Sequence, residues 1–530
     1  MNLTSFRQVE IAMTKRLSLL LIILSGLSAL LCLSVYAPVY LTCQGYPLDD
    51  AWIHAVYARE LAHSGKLAYN PGIPATGCTS PLWAICLSLP HVLFKETWPV
   101  ITASKAIGFL FHLLTALVLF LFLEDAGSRI FALFGASLVA LHPDLIAASV
   151  SGMEIPLATF MASMLFYSAN KKPWLYGMAC FLASLARPEL TTIALAIPGA
   201  IYLSSRKKLY HPLVASLLGC SLAWGWVVFR NLSISHQPFP ATFYAKVGSS
   251  AWPVLRSLVK GFDELFSQIV IINSSFLILG TLLFAARLTF SPRAELEEKI
   301  PAWAFLGGLG YCALSFLLIP PVDPNAFYHQ RYILPAVPLI VAPAFKLINL
   351  TLAKLNWSPP KRTAVGLFLA ILAFFSLLLK APQRFERLAN DARNIDDVQV
   401  SLGLYLSRAS ADDIAWAVDA GASRYFGRAF VVDLMGLNNF QLLSPQAQAF
   451  LETHPASFIE VVPGWNSLDE NSQKTLSFTL FQPSTRYSVT SFQPMQLHFL
   501  YQGKDGHHGL IFFKGKNFAF RTQAPRMSRD

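Results

Sequence analysis

Two adjacent carboxylates, Asp49 and Asp50, open the stretch YPLDDAWIHAVYARELAHSGKLAYNPGIPATGCTSPLW, directly after the first apolar segment of the chain. An acidic pair beside a membrane is expensive to keep without a use. The chemistry open to it is abstraction of a proton or capture of hydroxyls or a cation. The plainer reading is a helix start, because carboxylates favour the positive end of a helix. From Asp50 to Ala62, residues Ile53, Val56, Tyr57 and Leu61 fall near helical spacing, which predicts a short helix along the membrane surface with the pair at its beginning.

Further along, Glu154 in VSGMEIPL stands at the mouth of an otherwise apolar helix, and Arg187 and Glu189 flank a proline in LARPE. Lys246 closes FPATFYAK, and His329 and Arg331 lie in AFYHQRYILPAVPL. Each has a structural reading of its own: Glu154 as an N-terminal charge, Arg187 and Glu189 as a self-satisfied turn, the other three as cations snorkelling to headgroups.

The elements that must hold these residues are set by composition. Of 530 residues, 54% are hydrophobic and 13% charged, half the charge of an ordinary soluble domain, and mean hydropathy is +0.48. This is a polytopic α-helical membrane protein. Apolar runs long enough to span occur near 17–37, 105–123, 130–147, 154–169, 174–187, 189–204, 210–230, 268–286, 301–319, 332–350 and 363–379, about eleven helices. The first, preceded by Arg7, Lys15 and Arg16 and followed by no small-residue cleavage site, reads as a retained signal anchor with a cytoplasmic N-terminus. On that count Arg129, Lys171–Lys172, Arg206–Lys208, 287–299 and 354–362 fall inside, and every unusual polar residue faces the other side. The run 82–94, short and carrying Pro90 and His91, reads as a re-entrant or interfacial helix.

The net charge of +11 sits in short loops as orientation signals do, so no nucleic-acid partner is implied. The seven cysteines, Cys32, Cys43, Cys78, Cys86, Cys180, Cys220 and Cys312, have no metal-ligand spacing. A disulfide between Cys43 and Cys78 is chemically permitted in the first loop. After Ala381 charge returns. Arg384 to Arg408 reads as an amphipathic helix, and the runs IAWAVDAG, AFVVDL, SFIEVVP, RYSVTSF and GLIFFK predict strands of a small extracytoplasmic α/β or α+β domain. The expected division is a transmembrane module over 1–382 and a soluble domain over 383–530, with the C-terminus outside the cytoplasm.

In chain order, LDDAWIHAVYA, YNPGIPATGCTSPLW, SGMEIPL, LARPE, PFPATFYAK, HQRYILP and VDAGASRYFGRAFVVDLMGLNN resemble the GT-C superfamily of membrane glycosyltransferases. Within it they are similar to the mycobacterial terminal arabinofuranosyltransferases and their bacterial relatives. The resemblance covers about 46–440. Cys78, Ala241 and Asn439 depart from it, standing where relatives commonly carry an aromatic, an Asn and an Asp.

The resemblance implies an inverting transferase of the bacterial inner membrane. It would move a sugar from a polyprenyl phosphate to an extracytoplasmic glycan, lipid or protein during envelope biogenesis. That chemistry needs a carboxylate to take the acceptor's proton and cations to hold the departing phosphate. Asp49 would be the base, in preference to Asp50, because the first acidic position of the loop usually carries that role. Asp50 and Glu154 would orient it, bind acceptor hydroxyls or hold a divalent cation, the single cofactor that the resemblance leaves open. Lys246, His329, Arg331 and Arg187 would hold the phosphate. A lipid-sugar transporter or flippase, and a non-catalytic envelope assembly protein whose acids only cap helices, are the competing classes. A transporter is expected to carry repeats and midplane charges.

Overall fold

The computed structural model describes residues 45–124, 129–169, 171–204, 210–246, 285, 288, 296–318, 331–461, 477–481, 486–490, 496–502, 509–514 and 519–523. The expected first span at 17–37, most of 268–286, His329 and Cys43 lie outside them. The helices are α1 (Asp49–Ser64), α2 (Pro81–Leu93), α3 (Thr97–Glu124), α4 (Arg129–Ala140), α5 (Pro143–Ser149), α6 (Ile155–Ser168), α7 (Pro173–Ala186), α8 (Leu190–Ser204), α9 (His211–Ser235), α10 (Ala241–Lys246), α11 (Leu296–Leu318), α12 (Val337–Lys354), α13 (Pro359–Ile395), α14 (Ser401–Leu406), α15 (Ala422–Phe426) and α16 (Ala447–Thr453).

Among the described residues, three helices are long and apolar enough to cross a membrane: α3, α9 and the stretch Leu334–Lys354 that contains α12. The run 130–147, read from sequence as one span, is broken: α4 and α5 meet at a bend of 56°. Pro143, which has no N–H for a continuing helix and constrains the residue before it, sits at the break. Helix α2 has 13 residues, about 20 Å, short of the ~30 Å hydrocarbon thickness.

Helix α1 is more deeply packed than a helix with one apolar face. Nine of its sixteen residues are buried, on both of its sides, because it lies between α2 and the C-terminal domain. Trp52, fully buried, has the rings of Tyr46, Tyr425 and Phe426 at 4.8, 4.9 and 4.9 Å. Gly65, with φ of 69°, ends the helix in the left-handed conformation glycine adopts without strain.

Helix α13 runs unbroken for 37 residues through Pro382, so the expected boundary at 382/383 falls inside one rod. A π-helical turn, Asp396–Val400, then leads to α14. Beyond it all five alternating runs become strands: β3 (Ile414–Ala417), β4 (Phe430–Asp433), β5 (Phe458–Val461), β7 (Arg486–Thr490) and β9 (Gly509–Lys514). Four of them, β3, β4, β5 and β9, with β8 (Gln496–Gln502), give a sheet of order β4-β3-β5-β9-β8, in which β3 runs parallel to both β4 and β5. β6 (Ser477–Phe481), β7 and β10 (Ala519–Gln523) form a separate antiparallel sheet; a short pair, β1 (Ala68–Asn70) and β2 (Ile73–Pro74), lies in the first loop. One apolar cluster runs from Tyr46 and Trp52 through the helices to Val431 and Phe458, so this domain and the helices share a core.

Candidate functional site

Parallel strands leave their carboxyl-end loops on one edge of a sheet, where open α/β folds receive partners. Here the loops after β3 and β4 receive the first loop of the chain. The Asn70 amide bonds both backbone groups of Val431, giving its N–H to the carbonyl at 2.9 Å and accepting the Val431 N–H at 3.0 Å. Tyr57 donates to Asn438 Oδ1 at 2.9 Å, Tyr69 to the Ala420 carbonyl, and Arg424 to the Tyr69 carbonyl at 3.2 Å. Asn439, the departure from the GL motif, accepts the Asp433 N–H at 2.8 Å, while Asp433 accepts from Met435 and Asn438.

Asp49 belongs to this docking. Its Oδ2 accepts the Gly421 N–H at 2.6 Å and its Oδ1 the Ala422 N–H at 2.8 Å, at the start of α15. The carboxylate thus caps a helix, though not its own. Burial and the neighbouring Asp419 push its pKa well above the ordinary carboxylate value, against the pull of those two N–H groups. Glu460, buried behind it and accepting from Ser423 at 2.9 Å, is raised by burial, by Asp419 and by Asp49.

Asp50 points elsewhere. It pairs with Arg331 and keeps 38% of its side chain exposed. From that pair a line of charge runs inward. Arg187 Nη1 donates to the Arg331 carbonyl at 2.8 Å, and Nε and Nη2 reach Glu189 at 3.4 Å each. Nη1 also lies 3.5 Å from Glu154, whose other oxygen is 3.1 Å from His54 Nε2. Both guanidinium groups sit over the ring of Tyr332, at 5.0 and 5.2 Å. Glu154 and Arg187 are 6% and 5% exposed, so each charge depends on the other.

The structure therefore brings Asp50, Glu154, Arg187 and Arg331 together, with Asp49 one residue away and turned toward the C-terminal domain. Lys246 ends α10, whose first residue, Ala241, donates its N–H to the Thr76 carbonyl at 3.2 Å and so joins that helix to the first loop. His329 lies outside the described residues. Sequence reasoning passed over His54, although its place four residues after Asp50 puts the two on one helical face. It also passed over Tyr332 and Glu460, and read Asp419, like Asp433, as explained by the folding of the C-terminal domain; no spacing connects Asp419 or Glu460 to the loop. Among the described residues no group of three His, Cys, Asp or Glu side chains could hold a metal ion. Cys78 is a buried thiol.

No family model matches the chain, and no curated protein matches it. Solved structures do. ArnT from Cupriavidus metallidurans bound to undecaprenyl phosphate has a TM-score of 0.54 at 12% identity, covering 93% of this chain and 98% of that one. Its apo state gives 0.52 at 12% identity, over 91% and 97%. The Archaeoglobus fulgidus oligosaccharyltransferase in its apo form gives 0.48 at 12% identity, over 81% and 69%. Mycobacterial arabinofuranosyltransferase AftD gives 0.44 at 14% identity, over 93% and 40%.

Proposed function

We propose, from the GT-C fold that this chain shares with ArnT over nearly the whole length of both, that it is an inverting glycosyltransferase using a sugar carried on a polyprenyl phosphate. The acceptor is an extracytoplasmic glycan, lipid or protein. The observation that carries the reading is the juxtaposition of Asp50, one of an acidic pair, with two guanidinium groups that lie over the Tyr332 ring, Arg331 and Arg187, in a fold whose likeness includes a protein bound to undecaprenyl phosphate.

In the reaction an acceptor hydroxyl attacks the anomeric carbon and forms the new glycosidic bond. The bond from that carbon to the phosphate oxygen breaks, and the electron pair leaves with the lipid phosphate. A carboxylate of the Asp49–Asp50 pair takes the hydroxyl proton, and Arg331, backed by Arg187, holds the growing charge on the leaving group. Lys246 and His329 are assigned to the same phosphate. Attack and departure on opposite faces of the sugar invert the anomeric centre, as in inverting glycosidases.

Arg331 is held by Asp50 until a phosphate competes for it, so donor binding releases the carboxylate at the moment the base is needed. The test is release of undecaprenyl phosphate by the purified chain from a panel of undecaprenyl-phosphate-linked sugars. Arg331→Met should lower turnover by about 10²-fold or more, with little change in folding. Undiminished turnover in Arg331→Met would remove the phosphate assignment, and no release by the wild-type chain from any such donor would remove the transferase reading.

A further inference from the structure

We infer that the two adjacent acids divide their work. Asp49 is a positioning residue that clasps the C-terminal domain to the first loop, and Asp50 is the carboxylate that meets the substrate. The second half rests on the transferase reading above; the first does not.

Both oxygens of Asp49 are engaged by backbone N–H groups, at 2.6 and 2.8 Å, in a pocket that leaves the residue 9% exposed. A base must turn a lone pair toward an incoming hydroxyl, and here the two carboxylate oxygens are turned toward the start of α15. The partner surface is shaped for this. A Cβ on Gly421 would run first into the Asp49 backbone carbonyl oxygen and would also lie 2.7 Å from Oδ2 and 2.9 Å from Cγ, closer than side chains approach, so glycine is required where Asp49, backbone and carboxylate together, docks. Its neighbours make the same kind of contact. Tyr57 and Tyr69 bond the loops after β4 and β3, and Asn70 bonds the backbone of Val431 within β4 itself.

Asp50, by contrast, faces the arginines. Adjacent residues of a helix point about 100° apart, so one acid can face the domain while the next faces the charged line. The clasp brings the loops after β3 and β4 against the residues flanking Asp50, so Asp49 acts on the reaction through the placement of α1.

Hydrogen exchange of peptides spanning 418–427, read beside turnover of an undecaprenyl-phosphate-linked sugar by the full chain, separates the roles. Asp49→Asn leaves one oxygen to accept and sets an amide N–H against the second donor. Gly421→Ala breaks the same contact from the opposite side. Both should speed exchange at residues 421 and 422 about tenfold or more, raise KM, and leave the acid limb of the kcat–pH profile in place. Asp50→Asn should keep these amides protected and lose turnover by about 10²-fold or more. A hundredfold loss of kcat in Asp49→Asn with the amides still protected would overturn the clasp, as would wild-type exchange in Gly421→Ala. Wild-type turnover in Asp50→Asn would overturn the second half. A wild-type chain that turns over no lipid-linked sugar, yet shows the exchange pattern, would uphold the clasp and sink the transferase reading alone.

Discussion

Removing the Arg187 guanidinium should be among the most disruptive single changes outside the apolar core, and the geometry sets how disruptive. The side chain is 5% exposed and serves three partners: the Arg331 carbonyl at 2.8 Å, Glu189 through two contacts of 3.4 Å, and Glu154 at 3.5 Å. In Arg187→Met the volume is roughly kept, Glu154 becomes a buried carboxylate facing only His54, and the Arg331 backbone loses its donor. Breaking a buried pair from one side costs about 3–5 kcal/mol. Long contacts place the ion-pair share at the low end, about 3 kcal/mol, while the short bond to the carbonyl adds about 1.5–3 kcal/mol for a charged donor, so a total of about 5 kcal/mol is expected. Glu154→Gln should cost less, because an amide oxygen still accepts from the guanidinium. In the double variant Glu154 is no longer a charge left without its guanidinium, while the loss at Glu189 is common to both Arg187 backgrounds, and the total should fall short of the sum by about 1–3 kcal/mol. Unfolding of the full chain in one detergent, followed by tryptophan fluorescence, gives the cycle. Additive losses would refute the argument that these two charges exist for each other.

Burial pushes the Asp433 carboxyl up to about 6, against the Asn438 and Met435 N–H groups that pull it down. A raised acid stabilises the fold fully below its ordinary value near 4 and loses that contribution as pH rises through about 6, here roughly 3 kcal/mol; stability should therefore decline from pH 4 to pH 7, and less so in Asp433→Asn. A Cβ on Gly77 would stand 2.5 Å from Asn438 Oδ1 and 2.6 Å from the Tyr57 hydroxyl, so Gly77→Ala should cost about 1–3 kcal/mol by overpacking, measured as a lower midpoint of thermal unfolding. A reporter fused after Asp530 should be active only outside the cytoplasm, as loop charge requires; activity confined to the cytoplasm would reverse the orientation.

Much of this was legible because the signals were local. Alternation named five of the strands, the Pro in LARPE marked the turn that carries Arg187, and the acids of the first loop stood out against an apolar background. The break between α4 and α5 is written in Pro143, flanked by His142 and Asp144, but the run 130–147 is apolar enough on average to read as one span, and hydropathy alone does not see a bend. The burial of α1 on a second side is not legible in sequence, because that side is covered by α15, more than 350 residues away. The same distance hid the partners of Asp49. A carboxylate's neighbours in sequence say that it can accept hydrogen bonds, and only the fold says from which donors.

Helix α13 sets a phase as well as a length. Its 37 residues span about 56 Å at 1.5 Å per residue, and the domain rides on its end. An added residue between Ala381 and Ile395 would turn everything beyond it by about 100° and lift it by about 1.5 Å. Seven added residues would bring the angle back to within about 20° while lifting the domain about 10 Å off the loop it grips. The rod therefore works as a vernier, in which azimuth and height cannot be adjusted independently. Related chains of this architecture should vary in length within their loops, and hold the residue count of this helix constant.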